Sequence, residues 1–176
     1  MFLAVWTGSM AAMMLPGTVP LLRLDYAVTR SRARTALVVA GYLAVWAALG
    51  LAALPLDGVF MGRGRWLLVA ALGAAAAYQL SPLKRRCLAR CRAPLGRVLH
   101  GWRDGALGAL RLGAANGVWC VGCCVGLTVA LLALGMMSPH WMAAFTVVVT
   151  AEKTAPVLLS RPLATGLAIG AVAWAV

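Results

Sequence analysis

The chain has 176 residues, of which 63% are hydrophobic and only 11% charged, with a formal net charge of +12. The charged share is about half of the roughly 25% usual in soluble domains, and the mean hydropathy is +0.90, which excludes an ordinary water-soluble fold. The positive balance does not point to nucleic acid, because the basic residues gather in two loops between apolar runs, as cytoplasmic loops of membrane proteins do.

The expected fold is an all-α polytopic membrane helical bundle, one compact domain over residues 1–176 with about six transmembrane helices (five to six). A span needs about 20 apolar residues at 1.5 Å rise each. Runs at about 2–22, 35–55, 66–81, 114–134, 141–160 and 162–176 reach or approach that length. Met1 is followed at once by apolar sequence without a basic n-region, so no secretory signal peptide is expected. A start inside a span predicts either a missing upstream segment or a misassigned start codon.

The first run carries Met10, Met13 and Met14 at i, i+3 and i+4, one helix face. Pro16 cannot donate to the carbonyl of Ala12 and crowds it, so a kink is expected beside the methionines. Pro20 loosens the helix end in the same way.

The loop after this run holds Arg23, Arg30, Arg32 and Arg34. The long basic loop at about 82–112 holds Lys84, Arg85, Arg86, Arg90, Arg92, Arg97, Arg103 and Arg111. Of basic residues the alternate loops carry only Arg63 and Arg65, then none between Gly135 and His140. The positive-inside rule therefore places the basic loops in the cytoplasm of a bacterial inner membrane, and both termini outward if all six spans form. Within the long loop, Cys87 and Cys91 stand at i, i+4, and neighbouring Arg and Lys favour their thiolate forms. They read as a docking or receiving site on the cytoplasmic side. His100, in the same loop, has no evident partner.

The fourth run contains Cys120, Cys123 and Cys124, again i, i+3, i+4. At 100° per residue the three thiols converge beside one helix face. Thiolates and thioethers select monovalent copper over harder metals. A set of three also falls short of the four closed ligands of structural zinc. A free Cys is often only a small buried hydrophobe, and one alone would be read so; three on one face read as a ligand or redox site. Gly113/Gly117 and Gly122/Gly126 in this run, and Gly166/Gly170 in the sixth, are small-xxx-small pairs that let helices approach closely. The fourth run is therefore expected to be central.

Met136, Met137, His140 and Met142 cluster at the outward end, where thioethers and an imidazole could collect or pass on copper. Glu152 and Lys153 lie mid-run in the fifth span, at about 2.5–3.5 kcal/mol per charge on insertion scales. Each needs a partner or a polar cavity, and adjacency on a helix turns them about 100° apart. A gate, a proton-linked carboxylate, a metal-entry ligand and a structural polar lock all remain open for the pair.

Taken in order, "AMMLPGTVPLL", "GYLAVW", "AYQLSPLKRRCLARCRAP", "GVWCVGCCVGLTVALLALGMMSPHWM" and "AEKTAP" resemble a family of predicted metal-binding integral membrane proteins, long grouped as a domain of unknown function. That family includes a membrane copper chaperone encoded beside a bacterial tyrosinase. Its members typically carry another hydrophobic segment before the Met-rich one. The family pattern matches at Met13, Met14, Pro16, Cys87, Cys91, Cys120, Cys123, Cys124, Met136, Glu152 and Lys153. The resemblance implies copper binding and delivery to a copper enzyme such as a tyrosinase, with no catalysis by the chain itself.

The functional expectation is thus a membrane copper chaperone or loading factor. A heavy-metal permease and, since Cys120-x-x-Cys123 has redox spacing, a membrane thiol oxidoreductase stand as alternatives. The topology orders the sulfurs as a ladder: Met136, Met137 and His140 outside, Met10 to Met14 mid-membrane, Cys120 to Cys124 on the inner half, and Cys87 and Cys91 in the cytoplasm. This order assumes that the first and fourth spans touch.

Overall fold

A computed structural model describes residues 2–62, 65–93, 102–134 and 139–154, together with residues 95, 96, 98, 162, 165, 166, 168, 169 and 173. Among the described residues the principal elements are seven α-helices: α1 Phe2–Met14, α2 Val19–Thr29, α3 Arg32–Gly62, α4 Arg65–Leu80, α5 Pro82–Cys91, α6 Gly105–Leu134 and α7 Pro139–Thr154, with a 3-10 turn at Pro16–Thr18. No strand occurs among the described residues.

Proline chemistry shapes the first run as expected. The helix stops at Met14, and the segments on either side of Leu15 bend by 51°. Pro20, by contrast, lies in the first turn of α2, where its missing N–H costs nothing. The chain then reverses at Arg30, in a left-handed conformation with φ 53. Asp25, fully buried, holds this corner by accepting from Arg34 Nε at 3.2 Å and Thr35 Oγ1 at 3.1 Å.

Two helices, α3 over Arg32–Pro55 and α6 over Gly105–Leu132, are each long and apolar enough to cross a membrane. The bent pairs α1/α2 and α4/α5 raise the number to four if each counts as one span. Among the described residues, then, two to four spans qualify rather than six. The fifth run is described only to Thr154, and most of the sixth lies outside the described residues.

The long basic loop departs from expectation. Residues 82–91 form α5, and α6 begins at Gly105, well before the apolar run. The local reason is a complete helix start: Pro82 occupies the first turn, and the Ser81 hydroxyl accepts from the Lys84 N–H at 3.1 Å. The two segments α4 and α5 meet at 65°, which turns α5 back onto α6.

Helix α6 is the hub, packed by α3, α4, α5 and α7. Its glycines explain how so many helices reach it. A Cβ at Gly113 would fall on the Val38 carbonyl, and one at Gly117 would stand 2.9 Å from Val45 Cβ, both on α3. At Gly122 the obstacle is Cys87 Sγ, at 2.7 Å, and at Gly126 it is the Tyr78 ring, at 2.9 Å. One glycine pair therefore seats α3, and the other seats α5 and α4. Substituting Gly113→Ala should destabilise the protein by about 1–3 kcal/mol, the cost of forcing an overpacked contact to move. Denaturation in detergent micelles measures it. Gly73→Ala, where nothing lies within 4 Å, should be neutral or stabilising, since Ala is the better helix former.

Candidate metal centre

Cys120, Cys123 and Cys124 are all buried, and their sulfurs lie within 4.8 Å of one another. Helix geometry brings them together, and α3, α5 and α7 close over them. Cys123 Sγ stands 3.4 Å from Cys124 Sγ and 3.2 Å from the Cys120 carbonyl oxygen. Tyr42 Oη, from α3, lies 3.1 Å from Cys120 Sγ. With metal–sulfur bonds of about 2.3 Å, three thiolates in a plane around one ion stand about 4 Å apart. The cluster fits a soft ion in two- or three-fold coordination after small side-chain adjustments.

Met10, Met13 and Met14 are buried in the same core as the cysteines. They line a small apolar cavity with Leu127, Thr128 and Leu131 of α6 and Phe145 and Val149 of α7. The juxtaposition of the first and fourth runs, assumed from the sequence, is therefore present. The joint is Lys153. Its Nζ lies 3.1 Å from Cys120 Sγ and 4.0 Å from Met14 Sδ, so one ammonium touches both sulfur faces. Gly17, in the turn after α1, makes room for its stem: a Cβ there would clash with the Lys153 side chain.

Glu152 faces elsewhere, as the 100° offset requires. Its carboxylate accepts from Lys84 Nζ at 2.6 and 2.8 Å, and both side chains are almost completely buried. Lys84 also donates to Gln79 Oε1. Arg92 donates to the Glu152 backbone carbonyl through Nε at 2.9 Å and through its Nη2. Lys84 and Arg92 belong to the stretch expected to be a solvated basic loop. They are instead structural, and no sequence signal distinguished Lys84 from its neighbours Arg85 and Arg86.

Cys87 and Cys91 do not stand apart as a separate site in a loop. Cys87 is buried against Gly122, and Cys91 Sγ lies 3.6 Å from Cys123 Sγ. Arg90, stacked 4.3 Å over the Trp119 ring, adds to the seating of α5 on α6. His140 is exposed, Met142 packs against the core, and Met136, Met137 and His100 lie outside the described residues. Tyr42 is a neighbour of the thiols that the sequence reading missed; its place opposite Cys120 depends on the α3–α6 crossing.

No curated protein and no solved structure matches this chain. A family model described as "Copper chaperone", PpoB2, matches residues 3–176. The sulfur-rich interior, built from donors that suit a soft ion, agrees with that description. Since the match runs through almost the whole length, the chain belongs to the PpoB2 copper chaperone family.

Proposed function

We propose that this protein is a membrane-embedded copper-loading factor. It holds monovalent copper on Cys120, Cys123 and Cys124 and delivers it to a copper enzyme, with tyrosinase as the kind of client. The observation that carries this reading is the buried thiol trio, its three sulfurs within 4.8 Å. Thiolates favour monovalent copper, and burial keeps the ion from water and from oxidants. Copper is cargo here, so the chain needs no catalytic group.

Met10, Met13 and Met14 serve as the weaker, neutral waypoint beside the thiolates. Transfer from thioether to thiolate is a ligand exchange between soft donors. Lys153, in contact with both faces, offsets the negative charge that thiolates bring into the interior. Met136, Met137 and His140 provide collection at the outward end. The excess of basic residues between the apolar runs supports a bacterial inner membrane location with those segments toward the cytoplasm.

The test is transfer. Detergent-purified protein loaded with monovalent copper is mixed with an apo-tyrosinase, and copper content and oxidase activity of the enzyme are followed. Sealed proteoliposomes are assayed in parallel for copper accumulation. Copper gained by the enzyme, with none accumulating in the vesicles, is the expected result. Accumulation without transfer would make the protein a permease, and a stable Cys120–Cys123 disulfide trapped in cells would make it a thiol oxidoreductase.

A further inference from the structure

The contact between Cys91 and Cys123 has a consequence beyond a single three-thiol site. Cys123 is the middle member of the cluster. Its sulfur stands 3.4 Å from Cys124 Sγ on one side and 3.6 Å from Cys91 Sγ on the other. Cys91 comes from a different helix, α5, and Cys87 lies one turn before it on the same face. The five sulfurs are all free thiols.

The geometry points to a two-copper thiolate centre, in which Cys123 bridges one copper held by Cys120 and Cys124 and a second held by Cys91. This deepens the proposed function and rests on it. A thiolate sulfur has more than one lone pair and can bind two soft ions at once, whereas a thioether bridges poorly. The separations on both sides of Cys123 are shorter than the roughly 4 to 4.6 Å spanned by two sulfurs on one ion with bonds of about 2.3 Å. Cys123 and its two neighbours therefore need to spread by roughly 0.4 to 1.2 Å, within the reach of rotamer adjustment.

Charge favours the second ion. Adding one monovalent copper together with one further thiolate, Cys91, leaves the net charge of the buried centre unchanged. A full extra charge in this interior would be costly. The placement of α5 is also fixed in advance. Lys84 and Arg92 both bind Glu152, and Arg90 stacks on Trp119, so the helix carrying Cys87 and Cys91 is fastened to α7 and α6. Gly122 leaves the space in which the Cys87 sulfur sits. Without that glycine the first thiol of α5 could not approach the backbone of α6.

The experiment is an anaerobic titration of the full chain in detergent with monovalent copper buffered by bathocuproine disulfonate. X-ray absorption at the copper edge reads the copper–copper distance. Wild type should bind about two ions per chain and show a short copper–copper scattering path. Cys91→Ser, at a half-buried position, should fall to about one ion and lose that path while keeping the wild-type elution profile. Cys123→Ser should lose the path as well. A wild type that binds one ion, with no copper–copper path and with dependence on Cys120 and Cys124 alone, would overturn the bridged centre and leave the loading function standing. A wild type that binds none would overturn both.

Discussion

Replacing Glu152 with Ala should destabilise the protein by about 3–5 kcal/mol, the usual cost of leaving one member of a buried ion pair without its partner. The Lys84 ammonium, 1% exposed, would then retain, among the described residues, only Gln79 Oε1 as an acceptor. Arg92 binds the Glu152 backbone carbonyl, so its contact survives truncation of the side chain and the loss isolates the carboxylate. Lys84→Met should cost a similar amount. The double variant Lys84→Met/Glu152→Leu should recover most of the stability, because a packed apolar pair replaces two desolvated charges. A double-mutant cycle read by unfolding in mixed micelles measures this coupling. Two single variants close to wild type would show that the pair is hydrated and open to solvent.

That pair marks where reading the sequence stopped. Glu152 announced itself, since a carboxylate amid Thr146-Val-Val-Val-Thr-Ala needs a partner. Lys84 did not. It opens a run with Arg85 and Arg86, and a basic run after an apolar segment has the composition of a solvated loop whether or not one member turns inward. What distinguishes it is the helix start at Ser81–Pro82, which turns α5 and aims Lys84 at α7. Cys87 and Cys91 were misplaced for the same reason: their helical spacing was legible, but the 65° turn that lays them on α6 is a tertiary feature.

Other features were legible because their causes are local. The break after Met14 follows from the missing N–H of Pro16, and the i, i+3, i+4 spacing alone gathers the Cys trio. The glycine pairs of α6 also spoke for themselves, although which partner each pair receives depended on chain topology. Lys153 was recognised as a charge in need of a partner. That the partner would be a thiol could not be read from α7 alone, since Cys120 is 33 residues away. The spacing of spans was least legible, because α1 with α2 and α4 with α5 are bent pairs whose role as single crossings depends on geometry.

The triple variant Cys120→Ser/Cys123→Ser/Cys124→Ser should lower copper affinity by at least about a hundredfold, beyond what loss of a supporting contact costs at a metal site. Serine nearly preserves side-chain volume, and its hydroxyl can bond the carbonyl one turn back, as Thr128 does to Cys124 at 3.1 Å. The helix should therefore persist while the soft donors disappear. Elemental analysis of purified protein, with the elution profile as a check on folding, reads the result. Lys153→Met provides the graded contrast. It removes the ammonium next to Cys120 but leaves every thiol, so affinity should fall by about 10–100-fold, with the number of ions bound at saturation unchanged. Copper retained at wild-type affinity by the triple serine variant would remove these cysteines from the site. An unchanged affinity in Lys153→Met would reduce that lysine to a packing role. If both outcomes fall as expected, the thiols supply the bonds and the ammonium sets how much negative charge the interior can hold around the ion.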